Sequence, residues 1–307
     1  MTPEGDAMIA PRAAALPVFA RSSAKVCIGL IGSGIQASLT SAMHMREGAA
    51  HGLTYEYRLI DLDTLGLPAS ALPELISAAE QAGFGGLNIT FPCKQTVLAH
   101  LHDLSDDARA LGAVNTVVLR DGRRTGHNTD WWGFAEGFRR DLGRVARARV
   151  VQLGAGGAGS AVAHALMTLG VEHLQIIDTD HAKAQTLAAA LTARFPTAAI
   201  TAHRAPDDVM RTADGIVNAT PVGMAKYPGL PFDARLLRSD LWVADIIYFP
   251  LVTELIHRAR KLGVPTMTGG RMAVFQAVRA FELFSGRTAD AARMQRHFAD
   301  LAAKVEA

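Results

Sequence analysis

Gly154, Gly156 and Gly159 stand at G-x-G-x-x-G spacing, between the apolar run Val150-Val151-Gln152-Leu153 and an alanine-rich stretch from Ser160. The run reads as a strand and the stretch as a helix, so the glycines make the turn between them. There the first glycine permits a sharp turn, the second lets backbone approach a pyrophosphate, and the third lets helix pack on strand. The N–H groups and dipole of the helix N-terminus then favour phosphate. A second apolar run, Leu174-Gln175-Ile176-Ile177, ends at Asp178. That is about 20 positions past the glycines, where a dinucleotide site needs a carboxylate for its ribose hydroxyls. Gly154, Gly156, Gly157, Ala158, Gly159 and Asp178 are therefore the expected dinucleotide contacts; the plain alternative is a turn that only packs helix on strand. Other polar residues have plain readings when taken alone. Lys94, after Pro92, reads as a solvated lysine, Asp130 as a helix N-cap, and Ser38 and Thr40 as capping hydroxyls.

The elements that must position these residues alternate from Lys25 onward. Strands are expected at 26–31, 55–60 and 86–90, with helices at 40–47 and 72–81, the second with Pro73 in its first turn. Helices at 94–100 and just before Gly112 lead to strands at 114–119 and around Thr125, separated by the turn Asp121-Gly122. A helix at 131–141, capped by Asp130 or Thr129, precedes the glycine-loop strand. Beyond Asp178 the pattern gives a helix at 182–194 and strands at 198–202, 215–218 and 241–247. A helix at 251–262, a strand at 264–267 and helices at 271–284 and 290–303 close the chain. Alternation of this kind predicts parallel sheets covered on both faces. The first half has no glycine loop of the 154–159 kind, so a Rossmann-type unit follows a different α/β unit.

Composition narrows the partners. The 307 residues are 49% hydrophobic and 20% charged, which suits a globular chain of about two domains. With 31 basic and 29 acidic residues the net charge is +2, too small to point to nucleic acid or an anionic membrane. No apolar run approaches the ~20 residues of a membrane helix. The two cysteines, Cys27 and Cys93, have no paired spacing, so no disulfide framework or metal site is indicated and a reducing cytoplasm is expected. Residues 1–24 read as a loose, disordered leader, because Pro17 and Arg21 break its apolar run.

Five stretches carry a family resemblance: Ser38-Leu39-Thr40, Asn88-Ile89-Thr90-Phe91-Pro92-Cys93-Lys94, Gly112-Ala113-Val114-Asn115-Thr116, Gly126-His127-Asn128-Thr129-Asp130 and Asn218-Ala219-Thr220-Pro221-Val222-Gly223-Met224. With Gly270-Arg271-Met272-Ala273-Val274-Phe275-Gln276-Ala277 they resemble the shikimate dehydrogenase family, in its order and spacing, over nearly the whole chain from Lys25. The resemblance implies an α/β fold of two domains. An open, mixed substrate-binding domain at 25–127 would precede a Rossmann-type dinucleotide-binding domain at 128–266, with helices at 267–307 packing back on the first.

It also implies roles. Lys94 and Asp130 would be the catalytic acid–base pair at a substrate hydroxyl; Ser38 and Thr40 would hold the substrate carboxylate. Thr90, Asn115 and Gln276 would bond ring hydroxyls, Gln276 only if the last helices return to the first domain. Lys183, Asn218, Thr220, Val222, Ile246, Gly269 and Met272 would join the glycine loop in holding the cofactor. Within the family, Asp178-Thr179-Asp180 favours NAD over NADP, because two carboxylates repel a 2′-phosphate. Threonine at position 40 is similar to the quinate/shikimate branch, so quinate and shikimate are the expected substrates, acted on by a monomer or homodimer without a metal. An NADP-using biosynthetic enzyme is the alternative, and a catalytically idle dinucleotide-binding regulator is the alternative of another class. Three positions depart from the pattern or stand out: Ser41 where proline is common, which loosens the carboxylate loop; Trp131-Trp132 after Asp130, where Trp131 could trim the pocket; and Cys93, expected to be a packed small residue.

Overall fold

Val26–Gly32 carries no charge and forms β1, buried along its length after Val26. A strand so apolar needs neighbours on both edges and cover on both faces. In the computed structural model, which describes residues 13–306, β2 (Tyr55–Asp61) and β3 (Gly86–Ile89) flank it in parallel. β4 (Asp103–Leu104), β5 (Thr116–Arg120) and β6 (Arg123–His127) extend the sheet to the order β2-β1-β3-β5-β6-β4. β5 runs antiparallel to β3 and β6. Asp121 and Gly122 join β5 to β6 with φ of 52° and 70°, the doubly positive turn that Asp-Gly supplies to hairpins. The sheet is thus mixed, as the resemblance implied, and not parallel throughout as alternation alone predicted.

The helix Leu72–Gln81 covers one face of this sheet, with Pro73 in its first turn and Leu72, Leu75, Ile76 and Ala79 buried at helical spacing. Residues 13–24 correct the expectation of a loose leader. Ala13 and Phe19 are buried in the same core as Leu72 and Leu75, and the Phe19 and Phe84 rings lie 5.9 Å apart. Arg58 donates to the carbonyls of Val18 and Ala20. Within the apolar run that resembled a leader, Ala13 and Phe19 are the residues that are buried. Residues 1–12 of that expected leader lie outside the described residues.

The second sheet is parallel throughout. Its strands are β7 (Arg149–Leu153), β8 (His173–Ile177), β9 (Ala199–His203), β10 (Gly215–Asn218), β11 (Trp242–Asp245) and β12 (Thr266–Met267), in the order β12-β11-β10-β7-β8-β9. Counted from β7, that is the 3-2-1-4-5-6 order of a Rossmann fold. The helix Gly157–Thr168 packs Val162, Ala163 and Leu166 into one core, and Ile216, Val243 and Ile256 fill the other. No helix among the described residues is long and apolar enough to cross a membrane.

The chain divides into two compact units. One holds the residues up to Thr129 with Ala277–Ala303, the other Asp130–Gln276 with the residues from Lys304. The second crossing falls inside the helix Gly269–Ser285, ten residues later than the expected boundary at 267. The helix starts among second-unit residues, with the Gln276 backbone against Gly133, and carries on to Phe284, which packs against Gly86 of β3.

Candidate active site

In the first unit Ser38, Thr40, Thr90 and Lys94 stand on the segments that follow β1 and β3, and Asn115 stands just before β5. The β1 loop, from Ser33 to Leu39, leads into the helix Thr40–Ala50, so Ser38 and Thr40 share one turn at its start. The Ser38 hydroxyl accepts the Thr40 N–H at 3.4 Å. Thr90 ends the β3 run, and its N–H bonds the Ile31 carbonyl at 2.9 Å. Ser33 donates to the Phe91 carbonyl, also at 2.9 Å, which ties the two loops together. Lys94 follows in the same turn, half-buried, with its carbonyl accepting the Val114 N–H at 2.8 Å. The helix expected at 94–100 is a shorter 3-10 turn, Thr96–His100, because Thr90 to Cys93 already close a turn of their own. Cys93 is fully buried and burial pushes its thiol pKa up, so it is the small packed residue expected.

Asn115 works mainly on the protein. Its carboxamide accepts the Thr129 N–H at 2.8 Å and donates to the Thr129 hydroxyl at 3.0 Å. That places the residue before Asp130 under direct control of the G-A-V-N-T motif. Asn128 adds a bond to the Ala113 carbonyl. The helix Asp130–Asp141 begins at Asp130 itself, so this buried carboxylate lies in its first turn, where the helix dipole favours negative charge. Asp130 and Gln276 belong to the second unit, and Ser38, Thr40, Thr90, Lys94 and Asn115 to the first.

In the second unit the glycine turn has the form that its spacing predicted. Gly154 has φ +99°, and a Cβ there would lie 2.6 Å from the Ala219 carbonyl oxygen. A Cβ on Gly159 would lie 2.3 Å from the Gly154 oxygen, whereas Gly156 and Gly157 face open space. Gly156 caps the helix Gly157–Thr168. A crowded turn with an open helix N-terminus fits a pyrophosphate. Ala158 lies within this first turn. Asp178 accepts the Ala155 N–H at 2.7 Å and the Asp180 N–H at 2.9 Å, so its carboxylate is held in a set direction at the edge of the turn. Lys183 is exposed and pairs with Asp180 at 3.6 Å.

Asn218 ends β10, Thr220, Val222 and Ile246 stand on the loops after β10 and β11, and one buried carboxylate joins those segments. Asp245 accepts from Asn218 (3.2 Å), the Ile247 N–H (3.0 Å) and the Thr253 hydroxyl (2.7 Å). Burial raises its pKa, against the lowering effect of these donors. Asn218 in turn accepts from the Thr220 N–H and hydroxyl and donates to the Val222 carbonyl. Gly269 lies so close to Ile246 that a Cβ would meet its carbonyl oxygen at 2.2 Å, and Met272 is buried in the core of this unit. Trp131 packs edge-on against His164, and Trp132 edge-on against Phe275.

Three residues that the motifs did not single out hold these loops: Asp245, Gln152 and Asp61. Gln152 is fully buried and donates to both the Gly154 and Gly159 carbonyls at 2.8 Å. Asp61 does the equivalent for the β1 loop. The available signal was position, since Asp61 ends β2 as Asp178 follows β8. Among the described residues no cluster of three or more His, Cys, Asp or Glu could hold a metal ion.

Comparison with known proteins gives matches in both units. Residues 30–117 match the shikimate dehydrogenase substrate binding domain, and residues 132–195 the ThiF family. A relative from an Arthrobacter species, named shikimate dehydrogenase (NADP(+)), is 54% identical over 281 residues, covering 91% of this chain and 96% of its own. One from Corynebacterium efficiens, named quinate/shikimate dehydrogenase (NAD(+)), is 47% identical over 279 residues, covering 90% and 98%. The solved quinate dehydrogenase from Corynebacterium glutamicum in complex with NAD has a TM-score of 0.86 at 48% identity, covering 90% of this chain and 99% of that one.

Proposed function

The chain belongs to the shikimate dehydrogenase family, and we propose that it is an NAD-dependent dehydrogenase of quinate and shikimate. The observation that carries the cofactor choice is Asp178, whose carboxylate is bonded to Ala155 of the glycine turn. Its Oδ2, which accepts only the Ala155 N–H among the bonds described, has a further lone pair for a ribose hydroxyl, and its charge opposes a 2′-phosphate. Asp180 adds a second carboxylate two residues on. Lys183 does not reverse the balance, because it is already paired with Asp180.

NAD held by the glycine turn and Asp178 would supply the hydride acceptor for the carbinol carbon at C3. The remaining work falls to this chain's residues. Lys94 and Asp130 act as the acid–base pair that takes the C3 hydroxyl proton, so the alcohol becomes a ketone, 3-dehydroquinate or 3-dehydroshikimate. Ser38 and Thr40 bond the ring carboxylate. Thr90, Asn115 and Gln276 orient ring hydroxyls, and a site built around such partners rejects analogues that lack them. Asn115 also fixes Thr129 and, through it, the start of the Asp130 helix.

NADH formation with quinate and with shikimate tests the reading. Turnover of both acids supports it; turnover of shikimate alone would remove quinate, and turnover of neither would overturn the activity. The biosynthetic NADP enzyme is the second reading, favoured by the 54% identity to a relative named for NADP(+).

A further inference from the structure

Asp61 is a carboxylate with 3% of its surface exposed, at the end of β2 and beside the loop that follows β1. Four donors converge on it. The Gly34 N–H reaches Oδ1 at 3.1 Å and the Asp63 N–H reaches the same oxygen at 3.1 Å. The Ile35 N–H reaches Oδ2 at 3.2 Å, and the Gln36 side-chain amide reaches it at 2.9 Å. Burial on its own would raise the Asp61 pKa, and these donors outweigh it and hold the group ionised.

Two consequences follow for the loop. Gly34 has φ +66° and could begin an anion-binding nest of backbone N–H groups. Those groups are spent, however: Ser33 donates to Phe91, and Gly34 and Ile35 donate to Asp61. The Ser33, Gly34 and Ile35 N–H groups are thus not available to an anion, which leaves the hydroxyls of Ser38 and Thr40 as donors close by. The Ile35 carbonyl in turn accepts the Ser38 N–H at 3.0 Å, so the anchored segment sets where Ser38 and Thr40 begin their turn.

We propose that Asp61 is a positioning residue for substrate carboxylate recognition: it clamps Gly34–Gln36 so that the Ser38 and Thr40 hydroxyls are presented together. The inference rests on the role assigned above to Ser38 and Thr40.

The test is steady-state kinetics of Asp61→Asn with quinate and shikimate. Whichever way the new amide turns, its nitrogen faces two of the four donors and those bonds are lost. KM for both acids rises tenfold or more, while KM for NAD stays within twofold. The double variant Asp61→Asn with Gln36→Glu restores donor-to-acceptor pairing between the two side chains and recovers at least threefold in KM. A merely structural role predicts the opposite split, a lower Tm and lower kcat with KM for the acids unchanged, and that result would overturn the proposal. Should Asp61→Asn fail to fold, Gln36→Leu at an exposed position reads the same loop. It raises KM for the acids threefold with Tm unchanged, and an unchanged KM would again overturn the proposal. Wild type that turns over neither acid overturns the function on which this rests; an active wild type beside variants with unaltered KM overturns the role of Asp61 alone.

Discussion

Oδ2 of Asp178 accepts the Ala155 N–H at 2.7 Å, so the acid that follows β8 is bonded into the glycine turn that follows β7. The first unit repeats the arrangement, with Asp61 at the end of β2 bonded into the turn after β1. In both places two parallel strands run side by side, Gly32 opposite Asp61 and Leu153 opposite Ile177. The difference is exposure. Asp61 is buried and meets four protein donors, whereas Asp178 is half-buried at the edge of an open turn. The same device ties down a turn in each unit, closed over by donors in one and left open at its edge in the other.

Replacing Asp178 by serine removes the negative charge and the carboxylate proposed to accept from the ribose. A charged hydrogen bond contributes about 1.5–3 kcal/mol, so the ratio of kcat/KM for NAD over NADP falls by ~10- to 100-fold. Initial rates with both cofactors measure it. An unchanged ratio would remove Asp178 from cofactor selection.

Gly159→Ala places a methyl group 2.3 Å from the Gly154 carbonyl oxygen and crowds the Gln152 amide that staples the turn. Both contacts are backbone or fully buried, so the helix must shift. Dinucleotide binding, followed by quenching of protein fluorescence, weakens at least tenfold. Gly156→Ala, which meets nothing within 4 Å, keeps its fold and Tm. Equal melting temperatures for the two variants would contradict the geometry.

Asn115→Ala leaves the buried Thr129 N–H without its acceptor, which costs about 1–3 kcal/mol. Urea unfolding reports that loss. Because Asp130 is the next residue, kcat falls at least tenfold in the folded fraction. Full kcat in the variant would detach Asn115 from the positioning of Asp130.

Glu47 is fully buried against Arg293, at 2.6 and 2.8 Å, and accepts the Asp290 N–H at 2.8 Å. Burial alone would raise its pKa; the bonds from Arg293, Asp290 and His51 outweigh that and depress it. A depressed carboxylate supplies stability that is complete above its unfolded value of about 4.3 and is lost as pH falls toward the folded value. The Glu47 contribution to the urea midpoint is therefore constant from pH 6 to 8 and is lost below about pH 4.5, so over that acid range the midpoint falls more steeply in the wild type than in Glu47→Gln. Arg293→Ala leaves a buried charge unpaired and costs about 3 kcal/mol or more.

Local patterns were legible where one segment decides its own fate. The helix Leu72–Gln81 and the strand Gly215–Asn218 fall on the residues expected, and the glycine turn has the conformation its spacing demands. What depends on distant partners was not. β4 is two residues long and exists only through its pairing with β6. Ala13 and Phe19 are buried by Phe84 and the helix Leu72–Gln81, which no property of residues 13–24 announces. Asp61 looks like an ordinary strand-ending acid until the Gly34–Gln36 loop closes over it. In the candidate site, motif residues such as Lys94 and Asp130 were visible by type and spacing. Gln152, Asp61 and Asp245 hold the glycine turn, the β1 loop and the loops after β10 and β11; position hinted at Asp61, but their roles became visible only through their bonds.

The most direct test of the account is the ratio of kcat/KM for NAD over NADP in the wild-type enzyme, with shikimate saturating. Asp178 bonded into the glycine turn predicts a ratio well above one, on the order of ten or more. A ratio below one would contradict the NAD assignment and return the chain to the NADP-dependent reading.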